Sequence, residues 1–243
     1  MIDGEFAMTL LLWALVVWLS GGALALSMPC ASRLAPRVAA LATVAGVLLA
    51  AVPVLRVLAG GPALVFAHDW SVPFGEFALR VDALSAWFLL VILVVSALAA
   101  VYGVGYLAGR PSGRSWFWFN LLVAGMVLVV AASNAVLFLV AWEIMALASF
   151  FLVTFEDEEE AVREAGWIYL VATHLGTAFL LALFLLMARE TGSMDFARWA
   201  ELGIRSPQLA GPLFVLALIG FGSKAGFMPL HVWLPEAHPA APS

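Results

Sequence analysis

Seven stretches of this sequence stay apolar for about the length a helix needs to cross a bilayer: 7–27, 38–59, 83–109, 116–133, 135–155, 165–188 and 210–228. A crossing takes about 20 such residues. Backbone amides find no water in hydrocarbon, so each run must satisfy its own hydrogen bonds as a helix. Composition points the same way: 65% of the residues are hydrophobic and 11% charged, against about 45–50% and about 25% in soluble domains. The fold class expected is an all-α integral membrane protein with about seven transmembrane helices. Nucleic acid is not an expected partner, because the 11 Lys and Arg residues are scattered singly. The single cysteine, Cys30, excludes a disulfide framework or a thiolate metal site within the chain. The first run is flanked by Asp3 and Glu5 rather than by positive charge, so it reads as a retained helix and not a cleaved signal.

Breaks between the runs carry ordinary punctuation. Pro29 to Arg37 separates the first two, Gly109 to Arg114 the third and fourth, and Asn134 marks the turn into the fifth. The 60–82 connection reads as a small hairpin around Val72-Pro73-Phe74-Gly75, with Phe77, Leu79 and Val81 alternating against polar neighbours. Asp82 then sits where a helix N-cap belongs. Asp157 and Glu160 have capping-box spacing before the sixth helix, so the acidic run 156–160 reads as a solvated cap rather than an ion site. Residues 193–203 read as a short interfacial helix. Arginines divide equally between the two sides, with Arg33, Arg37, Arg110, Arg114 and Arg163 on one and Arg56, Arg80, Arg189, Arg198 and Arg205 on the other. Short loops weigh more in setting topology, which places the N-terminus outside.

Three titratable groups then fall far from either interface: Glu143, His174 and Lys224. A lone charge at bilayer centre costs roughly 2.5–3.5 kcal/mol on insertion scales. A carboxylate and an ammonium about 4 Å apart attract by about 4 kcal/mol at an effective dielectric near 20. Glu143 and Lys224 are therefore expected to face each other. Such a pair could be structural, but hydrocarbon side chains would join the helices without desolvating two charges, and buried pairs are weak evidence for stability. Intramembrane charges more often mark a transport path. His174, beside Thr173 and Thr177, fits a satisfied structural histidine and a proton relay equally well. Lys224 lies among Gly220, Gly222, Gly226 and Pro229, and Pro229 must disturb the helix ladder. A broken helix beside a charge is how transporters build midplane sites.

With these residues assembled, the chain resembles the antiporter-like membrane subunits shared by respiratory complex I, multisubunit sodium/proton antiporters and membrane-bound hydrogenases. The segments that carry the likeness are RVDALSAWF (80–88), WEIMALASFFLVTF (142–155) and GSKAGFMPLHVWLPEAHPAAPS (222–243). HLGTAFL (174–180) and the AHPAAPS ending look most like the hydrogenase-4 or formate hydrogenlyase large membrane subunit. The resemblance implies that Glu143 and Lys224 are the proton-translocating pair, that His174 passes the proton onward, and that His231 and His238 are accessory.

The same likeness implies a domain plan. Three N-terminal helices with the hairpin occupy 1–115, and 116–243 forms an incomplete first antiporter-like repeat. Because the chain stops where an eighth helix is expected, it looks like an N-terminal portion of such a subunit. The function implied is proton translocation driven by electron transfer in partner subunits, in a multi-pass protein of the cell inner (cytoplasmic) membrane. Expected partners are other membrane subunits, lipid, and H⁺ or Na⁺. The sequence offers no haem ligand pair, cysteine cluster or nucleotide fingerprint, so no cofactor and no redox chemistry are expected in this chain, whatever oxidoreductase it joins. A cation/proton antiporter component and a non-conducting membrane scaffold remain the alternatives.

Overall fold

A computed structural model describes residues 3–29, 32, 34–71, 76–110, 112–199 and 207–241. The helices are α1 (Gly4–Ser27), α2 (Ala35–Leu58), α3 (Ala83–Tyr106), α4 (Gly113–Ala131), α5 (Ala135–Val153), α6 (Glu160–Thr191), α7 (Phe196–Trp199), α8 (Pro207–Ala225) and α9 (Leu234–Ala240). Strands β1 (Leu64–Asp69) and β2 (Glu76–Val81) pair as a hairpin between α2 and α3. Among the described residues seven helices, α1 to α6 and α8, are long and apolar enough to cross a membrane. Each matches an apolar run of the sequence. Cys30, Arg33, the hairpin turn at 72–75, residues 200–203 of the expected interfacial helix and Arg205 lie outside the described residues. Of that interfacial helix, α7 is the described part.

The chain divides into two compact units: residues 1–68 with 77–132, and residues 69–76 with 133–243. Helix α4 packs against α1 and α2 in the first unit. In the first unit three buried polar side chains join α1, α2 and α4. The Trp18 indole N–H donates to the Thr43 carbonyl at 3.0 Å. The Thr43 hydroxyl lies 3.1 Å from Asn120 Oδ1, and Asn120 Nδ2 donates to the Trp116 carbonyl at 3.0 Å. A hydrophobic bundle in lipid gains little from burying more hydrocarbon, so close approach and interhelical hydrogen bonds do the joining. Gly46 allows the approach, since a Cβ there would meet the Trp18 indole.

Local sequence sets the helix starts. Asp82 caps α3 by accepting from the Ser85 amide at 2.9 Å. Asn134 caps α5 by accepting from the Leu137 amide at 2.9 Å, while its Nδ2 donates to the Glu76 carbonyl at 2.6 Å. In the hairpin Leu79 and Val81 are buried and Phe77 is half-buried, edge-on to Phe66. The capping box expected at Asp157 does not form. The N-cap of α6 is Glu159, with no side-chain cap. Arg163 instead reaches back and donates to the carbonyls of Asp157 and Glu158 at 2.9 and 2.8 Å. That guanidinium satisfies two carbonyls of the preceding turn, not the first amides of α6, and residues 156–160 stay exposed.

The Ser85 amide, helped by the Arg80 charge, holds the Asp82 carboxyl below its ordinary range, with partial burial working against it. A depressed folded value means that the cap contributes fully above the unfolded value and fades as pH falls through the folded one. Asp82→Ala should therefore cost about 1 kcal/mol at pH 7. The gap from wild type should close as pH is taken below about 4. Thermal unfolding of the two purified proteins at both pH values checks this; a gap that widens in acid would contradict it.

Candidate functional site

The second unit is organised around α6, against which α5, α8 and α9 all pack. Helices α6 and α8 meet at Gly176 and Gly220: a Cβ on Gly176 would run into the Ser223 hydroxyl, and one on Gly220 into Leu180. An aromatic cluster pins α5 beside them. Phe138 stacks on Trp142 with centroids 5.4 Å apart, and Phe221 of α8 meets both edge-on.

Helix α8 stops at Ala225, one residue after Lys224. Gly226 follows at φ +74°, a left-handed conformation that a side chain would resist. The Phe227 amide closes back on the Gly222 carbonyl at 2.9 Å. A cis peptide joins Met228 to Pro229, and turns lead to α9. Pro229 has no amide to donate, and the break leaves carbonyls of α8 without helical partners. Trp233 takes one of them, its indole N–H donating to the Ser223 carbonyl at 2.7 Å. The expected break is therefore present, and an indole stitches it.

The expected contact between Glu143 and Lys224 is not what forms. Among the described residues the Glu143 carboxylate pairs with His174, Oε2 to Nε2 at 3.2 Å. Lys224 Nζ donates to the Tyr169 hydroxyl at 2.8 Å and lies 5.1 Å from the Tyr169 ring centroid and 6.0 Å from that of Trp142. Helical phase explains the difference. Trp142 and Ala146 are four apart and share one face of α5, where they line the seam with Tyr169, whereas Glu143 is about 100° further round. The two charges therefore meet different partners. His231 follows the break, with its Nδ1 buried and without a hydrogen-bond partner among the described residues. His238 is exposed on α9.

The hydrogen-bond partners of the Glu143–His174 pair limit where its hydrogens can sit. His174 Nδ1 lies 2.9 Å from the Leu170 carbonyl, which can only accept, so Nδ1 carries a hydrogen. A hydrogen bond between Nε2 and Oε2 would then use a further proton, on the imidazole or on the acid. Both states use the same geometry, so the pair can hold a proton and change which group bears it. Glu143 Oε1 is buried and unbonded, leaving capacity for one more donor. The side chains of His174 and Glu143 are 47% and 31% exposed, so the pair opens to one side of the unit.

Tyr169, Trp142 and Trp233 are the site residues that the charge pattern alone misses. A usable signal existed in α6, where Tyr169, Thr173 and Thr177 repeat every four residues as a polar stripe through apolar sequence. Trp233→Phe should keep the ring contact with Tyr169, whose centroid is 5.3 Å away, and lose only the bond to Ser223. A loss of about 1 kcal/mol is expected. Thermal unfolding midpoints read it, and an unchanged midpoint would show that water satisfies the Ser223 carbonyl equally well.

Two family models match the chain. One describes the transmembrane part of NADH:quinone oxidoreductase and the Mrp antiporter and covers residues 132–243. The other describes the N-terminus of chain 5 of NADH-ubiquinone oxidoreductase (complex I) and covers residues 71–118. Hydrogenase-4 component B of Escherichia coli K12 is 37% identical over 98% of this chain and 35% of its own length. NADH-quinone oxidoreductase subunit L of Mycobacterium tuberculosis is 34% identical over 67% of this chain and 26% of its own. The chain thus spans about a third or less of these relatives. Among solved structures, the archaeal membrane-bound sulfane sulfur reductase aligns with a TM-score of 0.77 at 25% identity, over 94% of this chain and 36% of the other. The Mrp complex from Dietzia aligns with a TM-score of 0.79 at 24% identity, over 95% of this chain and 25% of the other, a likeness of fold.

Proposed function

We propose that this chain, which belongs to the antiporter-like membrane subunits of the complex I, Mrp antiporter and hydrogenase-4 type, moves protons through Glu143, His174 and Lys224 within a redox-driven membrane complex. The observation that carries the reading is the 3.2 Å contact of Glu143 with His174, in the same unit as a lysine at a helix break. A structural ion pair would hold one geometry and one charge state. Here the carboxylate keeps an unbonded oxygen, and the lysine rests on a neutral hydroxyl.

Lys224 and Glu143 are the exchanging partners. When the ammonium leaves Tyr169 for Glu143, the attraction of about 4 kcal/mol for close charges compensates for the lost hydroxyl contact. A second cation at Glu143 disfavours a proton on His174, because like charges oppose each other. The proton then leaves through the imidazole. The hinge for such a movement is the Gly226 turn, which follows Lys224 directly. Electron transfer in partner subunits supplies the energy, H⁺ is the ion moved, and the protein sits in the inner membrane with its N-terminus outside. Na⁺ transport fits less well, since imidazole and ammonium are proton carriers and poor ligands for a hard cation.

Lys224→Ala and Glu143→Gln in the intact subunit should each leave the complex assembled and electron transfer measurable, while proton translocation per electron falls several-fold. Vesicle acidification read by a pH-sensitive dye beside the redox assay tests this. Full pumping by an assembled Lys224→Ala complex would overturn the proposal and leave the chain a membrane scaffold.

A further inference from the structure

Tyr169 is almost wholly buried, with 2% of its surface exposed, in a cluster with Val153 and Ala237 and against Trp233. A core tyrosine ordinarily turns its hydroxyl to a backbone carbonyl. The carbonyl in reach is that of Ala146, at 3.4 Å, long for an O–H···O bond whose usual length is about 2.7–2.8 Å. The contact to Lys224 Nζ, by contrast, is 2.8 Å. The hydroxyl therefore serves the ammonium first. The Trp142 ring adds to this, with its centroid 6.0 Å from Nζ; the 5.1 Å to the Tyr169 centroid belongs to the ring that carries the bonded hydroxyl. Aromatic faces attract a cation, more strongly where water is scarce.

The arrangement is braced from both sides. Phe138 and Phe221 fix the Trp142 ring. Trp233 meets the Tyr169 ring edge-on, and its N–H holds the Ser223 carbonyl, one residue before the lysine. Ring, hydroxyl and lysine backbone are thus tied to the same indole.

We propose that Tyr169 is a positioning residue for Lys224, forming with Trp142 an aromatic dock that keeps the ammonium off Glu143 between transfers. This rests on the proton-translocation reading of the same site. The dock sets how often the lysine is free to approach the carboxylate. Without the hydroxyl the lysine spends more time away from the seam, because a hydrogen bond to a charged group is among the stronger ones.

The test is the reactivity of the Lys224 amine in the assembled complex, measured at fixed pH by reductive methylation and quantified on the peptide that contains it. Tyr169→Phe keeps the ring and removes the hydroxyl, and should raise the methylation rate about tenfold, the change expected from losing such a bond. Replacing tyrosine with 3-fluorotyrosine keeps the shape but weakens the hydroxyl as an acceptor, and should raise the rate by a lesser factor. It also reads the same bond should the Phe variant fail to assemble. Rates equal to wild type in either protein would overturn the dock. Proton translocation by the same complexes separates this outcome from the broader one. Lys224→Ala pumping normally defeats the translocation reading, whereas unchanged methylation beside a non-pumping Lys224→Ala complex defeats the dock alone.

Discussion

A charge inside hydrocarbon must find a partner, and the second unit gives its two charges different ones. Glu143 has an imidazole and Lys224 a phenol. Packing follows from that separation. Gly176 and Gly220 bring α6 and α8 close enough for Tyr169 to reach the lysine, and the Phe138 cluster holds the Trp142 ring on the same side. Were the two charges held in permanent contact, their attraction would favour one closed state, and the lysine could not alternate between partners.

The broken end of α8 supplies the complementary freedom. A continuous helix would fix Lys224 through backbone bonds on both sides. Here the bonds after Ala225 give way to a left-handed glycine, a proline and one indole stitch. Irregular backbone at membrane depth is stable only where other groups satisfy it. Trp233 does so at Ser223 and contacts Tyr169, so the element that closes the break also braces the site. The first unit differs in kind: its buried polar groups, Trp18, Thr43 and Asn120, carry no charge and bond to one another and to backbone, as a framework requires.

Much of this was legible in the amino-acid order. Span positions follow from apolar run length, the starts of α3 and α5 from Asp82 and Asn134, and the break from glycines and a proline around a buried lysine. The place of each charge within its run was legible too, because it depends only on counting residues. The direction each charge faces was not. A shift of one position, from Trp142 to Glu143, turns a side chain by about 100°, and only the packed neighbours decide which of the two meets α8. Asp157 failed as a cap because α6 starts only at Glu160, which puts Glu159 at the N-cap position. Tyr169 escaped notice because a buried phenol declares no partner until the fold supplies one.

The central claim is that Glu143 with His174, and Lys224 on its aromatic dock, are two stations of one proton path. The most direct measurement is a cryo-electron microscopy map of the intact complex at a resolution that reveals ordered water around α5, α6 and α8. The account predicts water molecules bridging the free oxygen of Glu143 towards the lysine amine, with the lysine seen on Tyr169, on Glu143, or on both in a mixture. A dry, fully packed gap between the two groups, or lipid filling it, would contradict the account.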